Sequence, residues 1–303
     1  MHRTLTFMMI CSLLAAACFG ASGPVLAQDE AASDAPVSDD SLQCIACHEG
    51  LHPGIVEGWR KSRHARRTPA QGRQVDELAR RVSSPDIPEN LMNNAVGCAE
   101  CHTMRPDAHA DTFEHGGFQV HIVVSPDDCA TCHSEEREQY KDNLMSEAHG
   151  NLENNSLYQQ FALAVNGHMS RNKDGAVQFT DSGSQTYAES CLYCHGTRLS
   201  VNGTKTYETD YGTFEIPVSD GWPNQGAGRI NLDGSKGSCT GCHTRHQFSI
   251  AEARSPSTCK ECHNGPDVPA YRVYSASKHG TIYEAKRDGW NFEAVPWVVG
   301  QDF

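Results

Sequence analysis

The chain has 303 residues, 38 Asp and Glu against 25 Lys and Arg, a formal charge of −13 and 14 cysteines. An acidic balance of this size repels phosphate, which argues against a nucleic-acid partner, and it steers association toward a basic one. After the first 27 residues no stretch is long and apolar enough to cross a bilayer, so no transmembrane segment is expected there.

The opening, MHRTLTFMMICSLLAAACFGASGPVLAQDE, has a short basic region at Arg3, an apolar run and a small-residue site at Val25-Leu26-Ala27. This is the pattern of a secretory signal over residues 1–27, too short for a membrane span, and it predicts a periplasmic or otherwise exported protein. Cys18 offers the alternative of a lipoprotein cysteine, although the preceding Ala-Ala-Ala departs from the usual Leu-led box. Residues 28–41 (QDEAASDAPVSDDS) read as a disordered acidic linker, and residues 42–303 as one domain.

Within that domain the remaining twelve cysteines form six Cys-x-x-Cys-His units and leave none over. They are Cys44 and Cys47 with His48, Cys98 and Cys101 with His102, Cys129 and Cys132 with His133, Cys191 and Cys194 with His195, Cys239 and Cys242 with His243, and Cys259 and Cys262 with His263. Three-residue spacing puts both sulfurs on one side of a helical turn, where each adds to a vinyl group, and the following imidazole points at the iron. Zinc knuckles, a redox dithiol or a disulfide framework do not require His after every second Cys. Six covalently bound haem c groups are therefore expected, and with them an unusual interior. The fold class follows: mostly α, a multihaem cytochrome c of short helices and loops wrapped around covalently bound haems, with little β.

Between the motifs, residues 58–81 are locally basic and read either as a solvated helix face or as a propionate or partner contact. Residues 135–169 read as the best long helical stretch, broken near Gly150. Residues 200–237, rich in Gly, Thr and Tyr, read as a loop or hairpin inserted between two haem sites. An electron-transfer haem needs a second axial ligand, for which neutral imidazole is suited. His64, His149 and His279 recur in SRHA, SEAHG and SKHG, each on a predicted helix beside a small residue, and are read as distal ligands. His246 lies too close to His243 to reach the same iron and is read as ligating a neighbouring haem. His115 and His121 remain open between ligand and surface, with His121 carried among the candidate ligands. His52, His109 and His168 are read as surface or propionate contacts.

Three stretches now show a likeness: GWRKSRHA after the first motif, SPDDCATCH, and above all GSCTGCHTRHQFSIAEARSPSTCKECHNGPD followed by YSASKHGTIYEAKRDGWNFE. In these, and in motif order, the chain resembles the octahaem hydroxylamine oxidoreductase family over most of its length after residue 40. The resemblance implies redox conversion of hydroxylamine or a related small nitrogen compound at one special haem, bound by the fourth motif through Cys191, Cys194 and His195. One axial position of that iron stays open, and the other haems relay electrons. It also implies that Asp267 handles protons over the open face, a base that the loss of protons with electrons requires. A basic redox-partner cytochrome follows from charge, and a homotrimer from the resemblance. The chain departs from the family in three ways. The residue after Asp267 is Val268 where the family has His. The sequence ends at VPWVVGQDF before the two further motifs and cross-linking Tyr of the family. Finally, there are extra residues between the fourth and fifth motifs. Without substrate chemistry the same features describe a hexahaem electron-transfer cytochrome; run reductively, they describe a nitrite or hydroxylamine reductase.

Overall fold

Short helices form wherever a hydroxyl or Asn cap is followed by a few residues that tolerate helix, and they stop quickly because Gly, Pro and Asn recur. A computed structural model describes residues 35–76, 81–266 and 268–303 of the chain. The signal expected over 1–27, residues 28–34 and Asp267 lie outside the described residues.

The linker reading is corrected over residues 35–41. Ala35 is buried, Pro36 accepts a hydrogen bond from the Ala95 amide at 2.8 Å, and helix Asp39–Leu51 begins at once. Ser38 caps that helix by accepting from the Ser41 amide, and Asp39 and Asp40 occupy its first turn, where the helix dipole favours negative charge. The same segment ties the first motif to the second. Ser41 donates to Glu100 at 2.7 Å and accepts from the Ala99 amide at 3.0 Å, while Ala35, Ile45, Val56, Trp59 and Ala95 pack together.

Residues 105–128 are held by buried polar groups rather than by an aliphatic core. Asp111, fully buried, accepts from the Ile122 and Val123 amides at 2.9 Å each. Asp128 closes a capping box with Ser125 and accepts from His109 at 3.1 Å. Arg105 reaches Asp128 at 3.6 Å and Asp233 at 2.9 Å, which fastens the loop before the fifth motif to this hub.

The long helix expected over 135–169 is instead three helices, Ser134–Lys141, Ala148–Glu153 and Ser156–Asn166, followed by a hairpin that contains Met169. The break is not at Gly150, which lies inside the second helix. It falls at residues 142–147 and again at Asn154–Asn155, where the Asn155 side chain accepts from the Leu157 and Tyr158 amides and starts the next helix.

Residues 200–220 form a hairpin arm, Ser200–Thr209 against Gly212–Asp220, with Thr209 opposite Gly212. Gly212 sits at φ +130°, a conformation that glycine adopts without strain. Of residues 200–237, read as a loop or hairpin, this part is hairpin and the rest is loop. The three sheets among the described residues are all two-stranded hairpins, and the chain is mostly helical. No helix among the described residues is long and apolar enough to cross a membrane. Helices Ala270–Ala276 and Lys278–Lys286 end the fold in an aromatic cluster of Tyr274, Tyr283, Trp290, Phe292, Trp297 and Phe303.

Candidate functional site

Each of the six motifs presents its cysteines as free thiols. The first, second and fourth motifs are helical from first Cys to His, within Asp39–Leu51, as Cys98–His102 and as Cys191–His195. In all the others except the first, second and fourth, the turn still closes: the amides of His133, His243 and His263 donate to the carbonyls of Cys129, Cys239 and Cys259. Six side-chain triads of thiol, thiol and imidazole are thus preformed by local backbone bonds.

The rings are oriented by backbone carbonyls. His102 Nδ1 bonds to His121 O at 2.8 Å, His133 Nδ1 to Arg81 O at 2.6 Å, and His195 Nδ1 to Ala148 O at 2.9 Å. With Nδ1–H donating, Nε2 keeps its lone pair, the tautomer that a metal takes. His149 is held the same way, its Nδ1 bonding to Gly196 O at 2.6 Å, so the helix carrying His149 and the fourth motif clasp each other. His48 Nδ1 meets His52 Nδ1 at 3.0 Å instead.

Two imidazoles on opposite faces of one metal ion, each bonded at about 2 Å with its ring centre about 1 Å further out, have centres roughly 6 Å apart. Three motif histidines have such a neighbour. His48 and His115 are 6.0 Å apart, His133 and His64 6.2 Å, and His102 and His246 6.4 Å. His64, on a short helix capped by Ser62, is pulled down to about 4, first by burial and then by His133 and His243. Burial, then His102 and Arg245, take His246 to about 4 as well. Both are neutral at pH 7, the form that can donate a lone pair.

His121 also lies 6.1 Å from His102, with Met104 O 2.8 Å from its Nε2 and Val123 O 3.2 Å from its Nδ1; a neutral imidazole donates to one of these two carbonyls. Its ring stacks on His109 at 3.7 Å inside the buried hub. In this position it braces the loop that orients His102. His115 was the residue that helical pattern could not single out. It sits on a tight hairpin, Phe113–His115 against Phe118–Val120, and its buried Nδ1 has no partner. The signal in the sequence was the Gly116-Gly117 turn between two Phe residues.

Among the described residues no second imidazole stands at this spacing from His195, His243 or His263. His263 Nδ1 is buried without a partner. His279 lines a cavity of ≈ 570 Å³ with Tyr274, Ile282, Lys286, Trp290 and Phe303, apolar walls with one cation. Free thiol pairs, carbonyl-oriented imidazoles, orphaned ring nitrogens and an apolar cavity beside a histidine fit haem attachment, and the buried apolar side chains are too few and small to form a core without it.

The motifs also touch one another through their sulfurs. Cys129 is raised first by its hydrogen bond to Cys239 and then by burial, and Cys262 is raised first by its bond to Cys194 and then by burial. Burial raises Cys98 to about 11, with Cys44 adding, and Cys101 to about 12, with Glu100, Cys98 and Cys132 adding. Burial also raises Cys242, with Cys259 next. These neighbours join the motifs in the order first, second, third, fifth, sixth, fourth.

Comparison with known proteins agrees with this geometry. A family model described as a seven-times multi-haem cytochrome CxxCH matches residues 225–298, which hold the fifth and sixth motifs. A probable nitrite reductase-hydroxylamine oxidoreductase fusion protein of Kuenenia stuttgartiensis is 26% identical over 269 residues, 86% of this chain and 24% of that one. A solved structure described as a hypothetical multiheme protein is 43% identical with a TM-score of 0.81, covering 90% of this chain and 52% of its own. A reducing HAO-like protein complex of Kuenenia stuttgartiensis is 21% identical with a TM-score of 0.45, covering 84% and 38%. The chain thus spans about half the length of the first solved structure and about a quarter of the curated relative.

Proposed function

We propose, for a chain that is a multihaem cytochrome with hydroxylamine oxidoreductase-like relatives and carries covalently bound haem c, that six haems form a single row ending at the fourth motif, where a small nitrogen compound such as hydroxylamine is converted. When bound, each haem supplies one-electron chemistry, and an iron with an open axial position also supplies a place for the nitrogen compound. The observation that carries the reading is that the first three motif histidines each face a second imidazole at 6.0 to 6.4 Å, whereas His195, held by Ala148 O at 2.9 Å, has none at that spacing among the described residues. The name of the curated relative supports the substrate class.

The chain's own residues take three roles in this reading. The twelve cysteines would hold the haems, with His48, His102, His133, His195, His243 and His263 as the motif ligands. His115, His246 and His64 would supply a second imidazole at the first, second and third motifs, with His149 and His279 as further ligands. His195, held by Ala148 O, fixes the reacting centre from below without a second imidazole opposite it among the described residues. Asp267 takes up the protons that accompany electron removal. A periplasmic setting and a basic redox-partner cytochrome complete the proposal, charge −13 being the surface that such a partner meets.

Electron paramagnetic resonance of the oxidised holoprotein tests it. One high-spin haem beside five low-spin ones, with the high-spin signal perturbed by hydroxylamine, is the expected result. Six low-spin haems would leave a hexahaem wire and remove the reacting centre.

A further inference from the structure

Arg229 is a buried cation without a buried anion. It is 1% exposed, and its partners are neutral: Asn231 Oδ1 at 2.7 Å and Asn224 O at 3.0 Å. A second guanidinium, Arg245, shares the same indole. The two lie 5.3 and 4.4 Å from the centre of the Trp222 ring. Arg245 is met by the Gln225 amide oxygen at 3.1 Å, again neutral. Among the described residues neither guanidinium makes an ion pair with a carboxylate, although acids outnumber bases in the sequence.

Two like charges on one ring repel, and a buried charge without a counter-charge is costly enough that such groups are almost always paired. Cation–π attraction recovers about 2 kcal/mol at most. Burial first, and then Arg245, lower Arg229 to about 10, which leaves it charged at neutral pH. Tyr140, raised to about 12 by burial, and Cys129, raised by its bond to Cys239 and by burial, are neutral at pH 7 and supply no counter-charge.

We propose that Arg229 and Arg245, stacked on Trp222, form a binding site for a carboxylate or similar planar oxyanion. Position favours a haem propionate as its source, since Arg229 lies beside the third and fifth motifs and Arg245 beside His102 and His246 of the second. Arginine suits this ligand because its planar fork bonds two oxygens at once. The site rests on haem attachment and is independent of which iron reacts.

The test is potentiometric titration of holoprotein carrying Arg229→Gln or Arg245→Gln in nitrite-free buffer, after haem content has been shown equal to wild type by pyridine haemochrome assay. A nearby positive charge favours the reduced haem, so its loss is expected to lower at least one midpoint, with a tenfold change in the oxidised-to-reduced ratio (~59 mV for one electron). Titration of wild type and variants with nitrite separates the sources. A propionate in the site leaves the nitrite response of every midpoint, including one at an open iron, the same in wild type and variants. A free oxyanion shows as a saturable nitrite-dependent shift that both variants lose, which keeps the site but replaces its occupant. If Arg229→Gln does not load haem, Arg245→Gln, at a half-buried position, carries the test. Unchanged midpoints in a fully loaded variant, with the same nitrite response as wild type, overturn the site.

Discussion

At the first three motifs each motif imidazole faces another at 6.0 to 6.4 Å, and the loops between them are pinned by Glu100, Asp111 and Asp128. At the last three no such second ring stands opposite among the described residues, and Cys242, Cys259 and Cys262 are exposed. What surrounds the last motif is apolar: an aromatic cluster, a ≈ 570 Å³ cavity and helices of a few turns. The difference teaches two ways of preparing a haem site. In the first half hydrogen bonds position the ligands before metal arrives. In the second half only His195 is held so, by Ala148 O, and around the last motif apolar walls await a large apolar face, which is the condition under which cofactor binding and folding are one event.

The contrast can be broken most severely at its junction. Changing Cys129 and Cys132 together to Ala removes the third haem and, with it, a link in the middle of the row. The expected result is a holoprotein lighter by one haem on mass spectrometry and poorly recovered in folded form; normal yield with five haems would show that the halves fold separately. Next in size, His115→Ala converts one haem from low to high spin with haem count unchanged, read by electron paramagnetic resonance. An unaltered spectrum would place the ligand of the first site elsewhere.

A stability effect comes third. Asp111→Ala leaves two buried amides without an acceptor, and charge-assisted bonds of this kind contribute about 1.5–3 kcal/mol each. A loss of about 3 kcal/mol in denaturant unfolding is expected, and a much smaller loss would mean that the polar hub does not hold the first half. Smaller still is the response to acid. Burial holds His64 and His246 at about 4, below their ordinary 6.5, so protons displace them only at the acid end. Low-spin absorption at their haems is expected to hold from pH 7 to about pH 5 and fade toward 4. Stability begins to decline earlier, as pH falls from about 6.5 to 4, because the unfolded chain takes the proton first. Fading already near 6.5 would show these rings open to water. The smallest effect belongs to Lys236→Ala. Its ion pair with Glu147, 2.7 Å long and about half exposed, contributes within about 1 kcal/mol to thermal unfolding, and a larger loss would make this surface contact part of the framework.

The attachment chemistry was legible in the sequence because it is local: five residues specify each turn, thiol pair and imidazole. The capped helical turn that carries His64 was legible for the same reason, in Ser62 and Ala65. His115 was not, since its role comes from a partner in the first helix, and a pairing across such distance leaves no local periodicity. The stacking of His121 on His109 was not legible, because a histidine next to apolar residues reads the same whatever ring it meets. The three-helix break was readable at Asn154-Asn155, a cap signal, and was outweighed by a glycine that the helix tolerates. The arm at 200–220 shows the remaining limit. Phe214 lies 4.7 Å from His115 and β-strand pairing is local, yet nothing in the strands names the ring they approach.

The contact between Cys194 and Cys262 sets the spatial row apart from the order in which the chain emerges. A chain made from its N-terminus presents the fourth attachment motif before the fifth and sixth, so the flank of the fourth is bare until a later segment crosses and docks. The fourth motif therefore waits longest for its spatial neighbour, and the surface around Cys194 is covered only when the segment bearing Cys262 has been made and has folded back on it.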